Sequence, residues 1–138
     1  MQDNRKIKDI YKCKYIEVDG EMYPLQKWYN QLIDKRISEL EVADVLRMIR
    51  QNEFRDIAVL KAIEYLKVNP FVGDMYEGEL LEKLSSINVD SLTDHIGEIK
   101  GILSNALIKN KNYEWLDDEE RKEFEEIVMK FSDKVGSF

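Results

Sequence analysis

Four carboxylates crowd one short stretch of this 138-residue chain: Asp74, Glu77, Glu79 and Glu82. Side chains of that type could pair for general acid–base hydrolysis or gather a divalent cation. A calcium loop would need oxygen ligands at alternate positions closing on a bidentate glutamate, and Phe71-Val72-Gly73-Asp74-Met75-Tyr76 does not supply them. Where 36% of all residues are charged, such carboxylates read more simply as a solvated acidic rim. Cys13 is the single cysteine and His95 the single histidine, far apart in sequence, so a thiolate nucleophile has no activating base nearby. A lone cysteine also excludes an internal disulfide and any multi-cysteine metal site. No Gly-rich phosphate loop, nucleophile elbow, zinc spacing or helix-borne histidine pair occurs. The residues therefore read as those of a non-enzyme with no metal and no cofactor, a carboxylate-dependent hydrolase being the enzymatic alternative.

The elements that must position these side chains are helical. Only two prolines and six glycines interrupt a chain rich in Leu, Ile, Glu and Lys, which favours a mostly α, all-α fold: one domain over residues 1–138, built as a compact bundle of about six short helices. Ile7, Ile10 and Tyr11 make a narrow helical stripe within residues 3–15. The alternation from Tyr15 to Tyr23 around Asp19-Gly20 predicts a small N-terminal β-hairpin. Pro24 suits the first turn of a helix carrying Leu25, Trp28, Tyr29, Leu32 and Ile33.

Ser38-Glu39-Leu40-Glu41 has capping-box spacing, and Ile37 with Val42 can form a hydrophobic staple, so a further helix can open there. It continues through Val45, Leu46 and Ile49, and an αα-hairpin joined near residues 52–55 leads to Val59, Ala62, Ile63 and Leu66. Asn69-Pro70 ends that second helix. After a loop over residues 71–78, helix returns through Leu80, Leu81, Leu84 and Ile87. The cleanest stripe is Leu92, Ile96, Ile99, Leu103, Ala106 and Leu107, opened by Ser91 or Thr93, with Gly97 and Gly101 spaced to admit a neighbouring backbone. The last helix starts near Asp117 or Asp118 and buries Phe124, Ile127, Val128 and Phe131.

No run approaches the roughly 20 apolar residues of a membrane span, and no apolar signal core follows Met1, which points to the cytoplasm. With 21 basic against 28 acidic residues the formal net charge is −7, against direct binding of nucleic acid. Two acidic runs stand out as partner-binding candidates. One is central, Asp74, Glu77, Glu79 and Glu82; the other spans Glu114, Asp117, Asp118, Glu119, Glu120 and Glu123, continuing to Glu125 and Glu126.

Across residues 37–81 the sequence carries Ser38-Glu39-Leu40, Asp44, Ile49-Arg50-Gln51, Ala62, Leu66, Asn69-Pro70, Gly73-Asp74, Tyr76 and Gly78-Glu79-Leu80-Leu81. In order and spacing this block resembles the immunity proteins of bacterial contact-dependent growth inhibition systems. Glu41 departs from that pattern, which often has a small hydroxyl residue there, so the helix start can shift by a turn. The resemblance implies a cytoplasmic antidote that binds the C-terminal toxic domain of a delivered protein, frequently a nuclease, and blocks it by stoichiometric protein–protein contact. An acidic protein suits a basic nuclease, because complementary fields speed encounter. The alternative is a non-enzymatic adaptor or regulatory protein for another helical partner. Asp44, Arg50, Gln51, Pro70, Gly73, Tyr76, Gly78 and Glu79 then read as scaffold, with Arg50 and Gln51 at helix-end carbonyls and Asp74 and Tyr76 fixing the loop after Pro70. Contact falls to the acidic residues, the C-terminal run above all, and a monomer is taken as the working state.

Overall fold

Proline, asparagine and aspartate set the helix ends of this chain as their backbone chemistry requires. The computed structural model describes residues 5–136. Among them lie seven α-helices: α1 (Ile7–Tyr11), α2 (Pro24–Ile33), α3 (Val42–Gln51), α4 (Arg55–Val68), α5 (Glu79–Ser85), α6 (Ile96–Asn110) and α7 (Asp118–Lys134). Short 3-10 turns cover Ile37–Glu39, Val89–Ser91 and Thr93–His95. The fold is all-α, with one more helix than the sequence suggests. The expected helical start at Asp3 lies outside the described residues.

Pro24 occupies the first turn of α2, where its missing N–H costs nothing. Pro70 forces Asn69 out of the helical region, and α4 stops at Val68. Asp117 caps α7 by accepting the Glu120 N–H at 2.9 Å, and the acidic first turn of α7 faces the positive end of its dipole. Between α3 and α4, Asn52 adopts the left-handed conformation, and Glu53 N–H donates to the Met48 carbonyl at 2.9 Å, so the backbone itself closes α3. Arg50 and Gln51 lie within the last turn of α3 and are exposed, rather than bonding its end carbonyls.

α4 is buried on several faces, through Ile57, Ala58, Val59, Ala62, Ile63 and Leu66, and packs against α3, α5 and α6. Short α5 touches α3, α4 and α7, and α6 pairs with α7. The core therefore runs from Leu32 and Ile33 through Leu80, Leu81 and Leu84 to Phe124, Val128 and Phe131, all nearly inaccessible to solvent. None of the helices is long and apolar enough to cross a membrane, among the described residues.

Several sequence expectations change. No β-strand occurs among the described residues beyond an isolated bridge between Lys6 and Arg36. The expected hairpin is an irregular segment with its bend kept at Asp19 and Gly20, because the Asn30 side chain of α2 takes both backbone groups of Ile16. Asn30 accepts the Ile16 N–H at 2.7 Å and donates to the Ile16 carbonyl at 3.1 Å, occupying groups a paired strand would need. The helix expected from Ser38 opens a turn later. Glu39 accepts the Arg36 N–H at 2.8 Å and closes only a 3-10 turn. Asp44 then accepts the Glu41 N–H at 3.0 Å and pairs with Lys35 at 2.7 Å, which fixes the start of α3. α6 begins at Ile96 rather than at Ser91 or Thr93, after two 3-10 turns. Gly97 and Gly101 face open space instead of a neighbouring backbone.

Candidate functional site

Glu79, read from sequence both as one of the acidic run and as scaffold, is the lock of the 71–78 loop. It is only 8% exposed, and one carboxylate oxygen accepts the N–H groups of Asp74 at 2.9 Å and Met75 at 2.8 Å. The loop needs glycine twice. A Cβ on Gly73 would stand 2.0 Å from the Tyr76 carbonyl, and Gly78 has a φ of +86° with Phe124 2.9 Å from where its Cβ would lie. Asn69 accepts the Phe71 N–H at 3.0 Å, and Gly78 N–H returns to the Phe71 carbonyl at 2.8 Å. Asp74 contributes its backbone rather than its carboxylate to this closure.

The second wall comes from the α6–α7 connection. Asn110, buried at the end of α6, accepts the Trp115 indole N–H at 2.7 Å, while its amide donates to the Arg121 carbonyl at 3.3 Å. The Arg121 guanidinium donates in turn to the Tyr113 carbonyl at 2.8 Å and to the Asn110 carbonyl. Phe71 stacks on Tyr113 with centroids 3.8 Å apart and touches Trp115 and Phe124 at 5.7 and 5.0 Å. This aromatic cluster ties the loop to α7.

Between the walls runs an open groove of about 540 Å³. Glu77 and Glu82 line it from the central acidic run, Glu120, Glu123 and Glu126 from α7, with Lys130 as its one cation. Its apolar surface is Tyr76, Trp115, Phe124 and Ile127. Two acidic runs that the sequence separates thus meet across one concavity. None of the five carboxylates forms an ion pair among the described residues. Their partners are neutral: Tyr113 hydroxyl donates to Glu77 at 2.5 Å, and Tyr76 hydroxyl donates to Glu82. Burial, and then the Glu77 carboxylate, push the Tyr113 phenol up to about 12; burial and Glu82 push Tyr76 in the same direction.

Asp74, Glu114, Asp117, Asp118 and Glu119 are exposed nearby in sequence but do not line the groove. Asp117 works as a helix cap, and Glu120 also accepts the Leu116 N–H at 3.2 Å. Met75 and Leu116, on the loops that form the two walls, are 81% and 90% exposed. Among the scaffold residues, Pro70 is buried, Asp44 is held by Lys35, and Gln51 lines a pocket of about 130 Å³ that shares no residue with the groove. Phe71, Arg121 and Lys130 are the site residues that sequence reasoning did not place, whereas Glu126 belongs to the C-terminal acidic run. Phe71 acts through contacts more than 40 residues away and Arg121 through the carbonyls of Asn110 and Tyr113, and only the aromatic content of 71–76 and 113–115 hints at them. No group of three or more His, Cys, Asp or Glu is arranged to hold a metal among the described residues.

A search of curated proteins finds no match. A family model described as CDI immunity proteins matches residues 9–102, which takes in the 71–78 loop and α5 and ends within α6. That match spans well over half of the sequence, and the chain belongs to the family of CDI immunity proteins.

Proposed function

We propose that this chain binds the toxic C-terminal domain of a delivered protein, one to one, in the cytoplasm of the cell that makes it, and blocks that domain without chemistry of its own. The toxin we propose is a basic nuclease. The observation that carries this reading beyond the family is the groove, where five carboxylates that form no ion pair among the described residues face one lysine beside exposed aromatic surface. Such a concentration of one charge sign raises the encounter rate with a cationic partner and presents to a nuclease the sign of charge that its phosphate-binding cleft is built to receive. A net charge of −7 supports the same polarity over the whole surface.

Co-expression with the C-terminal domain encoded immediately upstream tests it. That domain should be toxic alone and harmless with this chain, and the two should co-purify at equal stoichiometry. A domain that is harmless alone, or that stays toxic in the presence of this chain, refutes the reading for that pair.

A further inference from the structure

We propose that the groove between the 71–78 loop with α5 and the first half of α7 is a seat for an arginine-bearing basic segment of the partner. The inference rests on the immunity reading for the partner's identity, and on the groove alone for its chemistry. Four features point to guanidinium. The concavity, of about 540 Å³, is large enough to receive side chains rather than a bare ion. Its accessible apolar surface is aromatic at Tyr76 and Trp115, with buried Phe124 beneath them, and a planar cation stacks on such faces. Its rim carries glutamates from both walls, so a forked donor can pair with carboxylate while its plane lies against the ring. Those carboxylates form no ion pair among the described residues. An ammonium offers a point charge and no stacking plane, so lysine fits this surface less well than arginine.

The two walls differ in origin. Tyr76, Glu77 and Glu82 belong to the segment matched by the family, whereas Trp115, Glu120, Glu123 and Glu126 lie beyond it. The loop wall, locked by Glu79 and the two glycines, is the fixed half of the seat; the α7 wall, whose Glu123 and Glu126 stand exposed with no partner among the described residues, is the half that discriminates between partners.

The test uses the full nitrogen-labelled chain titrated with hexa-arginine, with hexa-lysine, spermine and magnesium as comparisons. Trp28, buried beneath the Arg47 guanidinium and absent from the groove, is an internal control for Trp115. Hexa-arginine should shift the Trp115 indole and the amides of α5 and α7 saturably while the Trp28 indole stays fixed, and hexa-lysine should bind several-fold more weakly. Glu123→Lys with Glu126→Lys should cost about tenfold in affinity. Glu17→Lys with Glu21→Lys, the same change in net charge on the irregular segment before α2, should stay within about twofold. Equal losses in the two pairs, equal binding of lysine, spermine or magnesium, or a Trp28 indole that moves with Trp115 would each overturn the seat. Glu123→Gln with Glu126→Gln repeats the measurement with a smaller perturbation, and unchanged melting of both pairs establishes that the fold is kept.

In cells, wild-type chain against the upstream-encoded toxin domain comes first. If it fails to protect, the immunity reading falls while the peptide titration still decides the groove. If it protects and the Glu123→Lys, Glu126→Lys chain protects equally, the seat is not where the toxin binds and this inference falls while the reading stands.

Discussion

Replacing Glu79 separates the two roles that an acidic residue in this stretch can have. Its carboxylate accepts two backbone N–H groups, from Asp74 at 2.9 Å and Met75 at 2.8 Å, and is only 8% exposed. A hydrogen bond to an ionised acceptor contributes about 1.5–3 kcal/mol. Asp74 and Met75 are themselves exposed, so water can reach the freed donors and the lower figure applies to each. Glu79 is also the first residue of α5, where a negative charge adds roughly 0.3–1 kcal/mol. Glu79→Ala should therefore cost about 3–4 kcal/mol. Glu79→Gln keeps the acceptor oxygen and loses the charge, for about half of that.

With an unfolding entropy of about 2.1 cal/mol/K per residue, a chain of this length loses roughly 3–4 °C of melting temperature per kcal/mol. The alanine variant should melt about 12 °C lower and the glutamine variant about 6 °C lower, by calorimetry, with the matching loss in urea titration. Amide exchange adds a local readout: the Asp74 and Met75 N–H groups should be protected in the wild type, less so in Glu79→Gln, and exposed in Glu79→Ala. Equal exchange of these two amides in wild type and Glu79→Ala would refute the lock. So would a glutamine variant as damaged as alanine, because the acceptor geometry would then contribute nothing.

Gly78→Ala should cost about 2–4 kcal/mol by urea unfolding, since a φ of +86° disfavours any side chain and the new Cβ would meet Phe124 at 2.9 Å; a loss below about 0.5 kcal/mol would show that the loop yields freely. Asn30→Ala should remove both bonds to Ile16 and destabilise by about 1–2 kcal/mol, with faster exchange of the Ile16 amide, whereas Asn30→Asp keeps the acceptor and loses only the donor. Alkaline pH probes the groove wall. Between the ordinary phenol value of 10.0 and about 12, folded Tyr113 holds a proton that the unfolded chain has released, so the stability it contributes is complete below pH 10 and is lost as pH rises toward 12. Tyr113→Phe should flatten the fall in urea midpoint across that window, and an unchanged slope would count against the burial of this phenol and its Glu77 contact together.

Local signals in the sequence that act within a turn or two survive intact. Pro24, Asn69-Pro70 and Asp117 end or begin helices where their own backbone chemistry puts them, and the stripes at Val45, Ile63, Leu103 and Phe131 are core. Signals open to competition do not. The strand alternation after Tyr15 loses to a side chain on α2 that no local pattern announces, and Ser38 loses the cap of α3 to the Glu41 and Asp44 pair because Lys35 holds Asp44 in place. The candidate site was legible in its composition and not in its assembly. Both acidic runs were visible as runs, yet only packing of α5 against α7 sets Glu77 and Glu82 opposite Glu120 and Glu123, while Asp117 and Glu79 are drawn off by local contacts, one as a helix cap and the other as the lock of its own loop.

The segment matched by the family ends at residue 102, but its own Gly78 is fitted to side chains beyond that point. The space that excludes a Cβ at Gly78 is filled by Phe124, and Trp115 lies 3.9 Å from the same position. α7 buries Phe124, Val128 and Phe131 to 2% exposure or less, and Lys134 at its end donates to the Ser85 carbonyl at 2.6 Å, covering the last turn of α5. Burial of a large apolar side chain contributes about 1.5–3 kcal/mol, so these three together supply roughly 5–9 kcal/mol, comparable with the whole stability of an ordinary domain of about 5–15 kcal/mol. A fragment of residues 1–102 should therefore lack a cooperative thermal transition and bind a dye for exposed apolar surface, while the full chain melts in one step. If the fragment melted cooperatively within about 5 °C of the full chain, α7 would be an appendage, and the groove would join two independently stable parts instead of being built into a single domain.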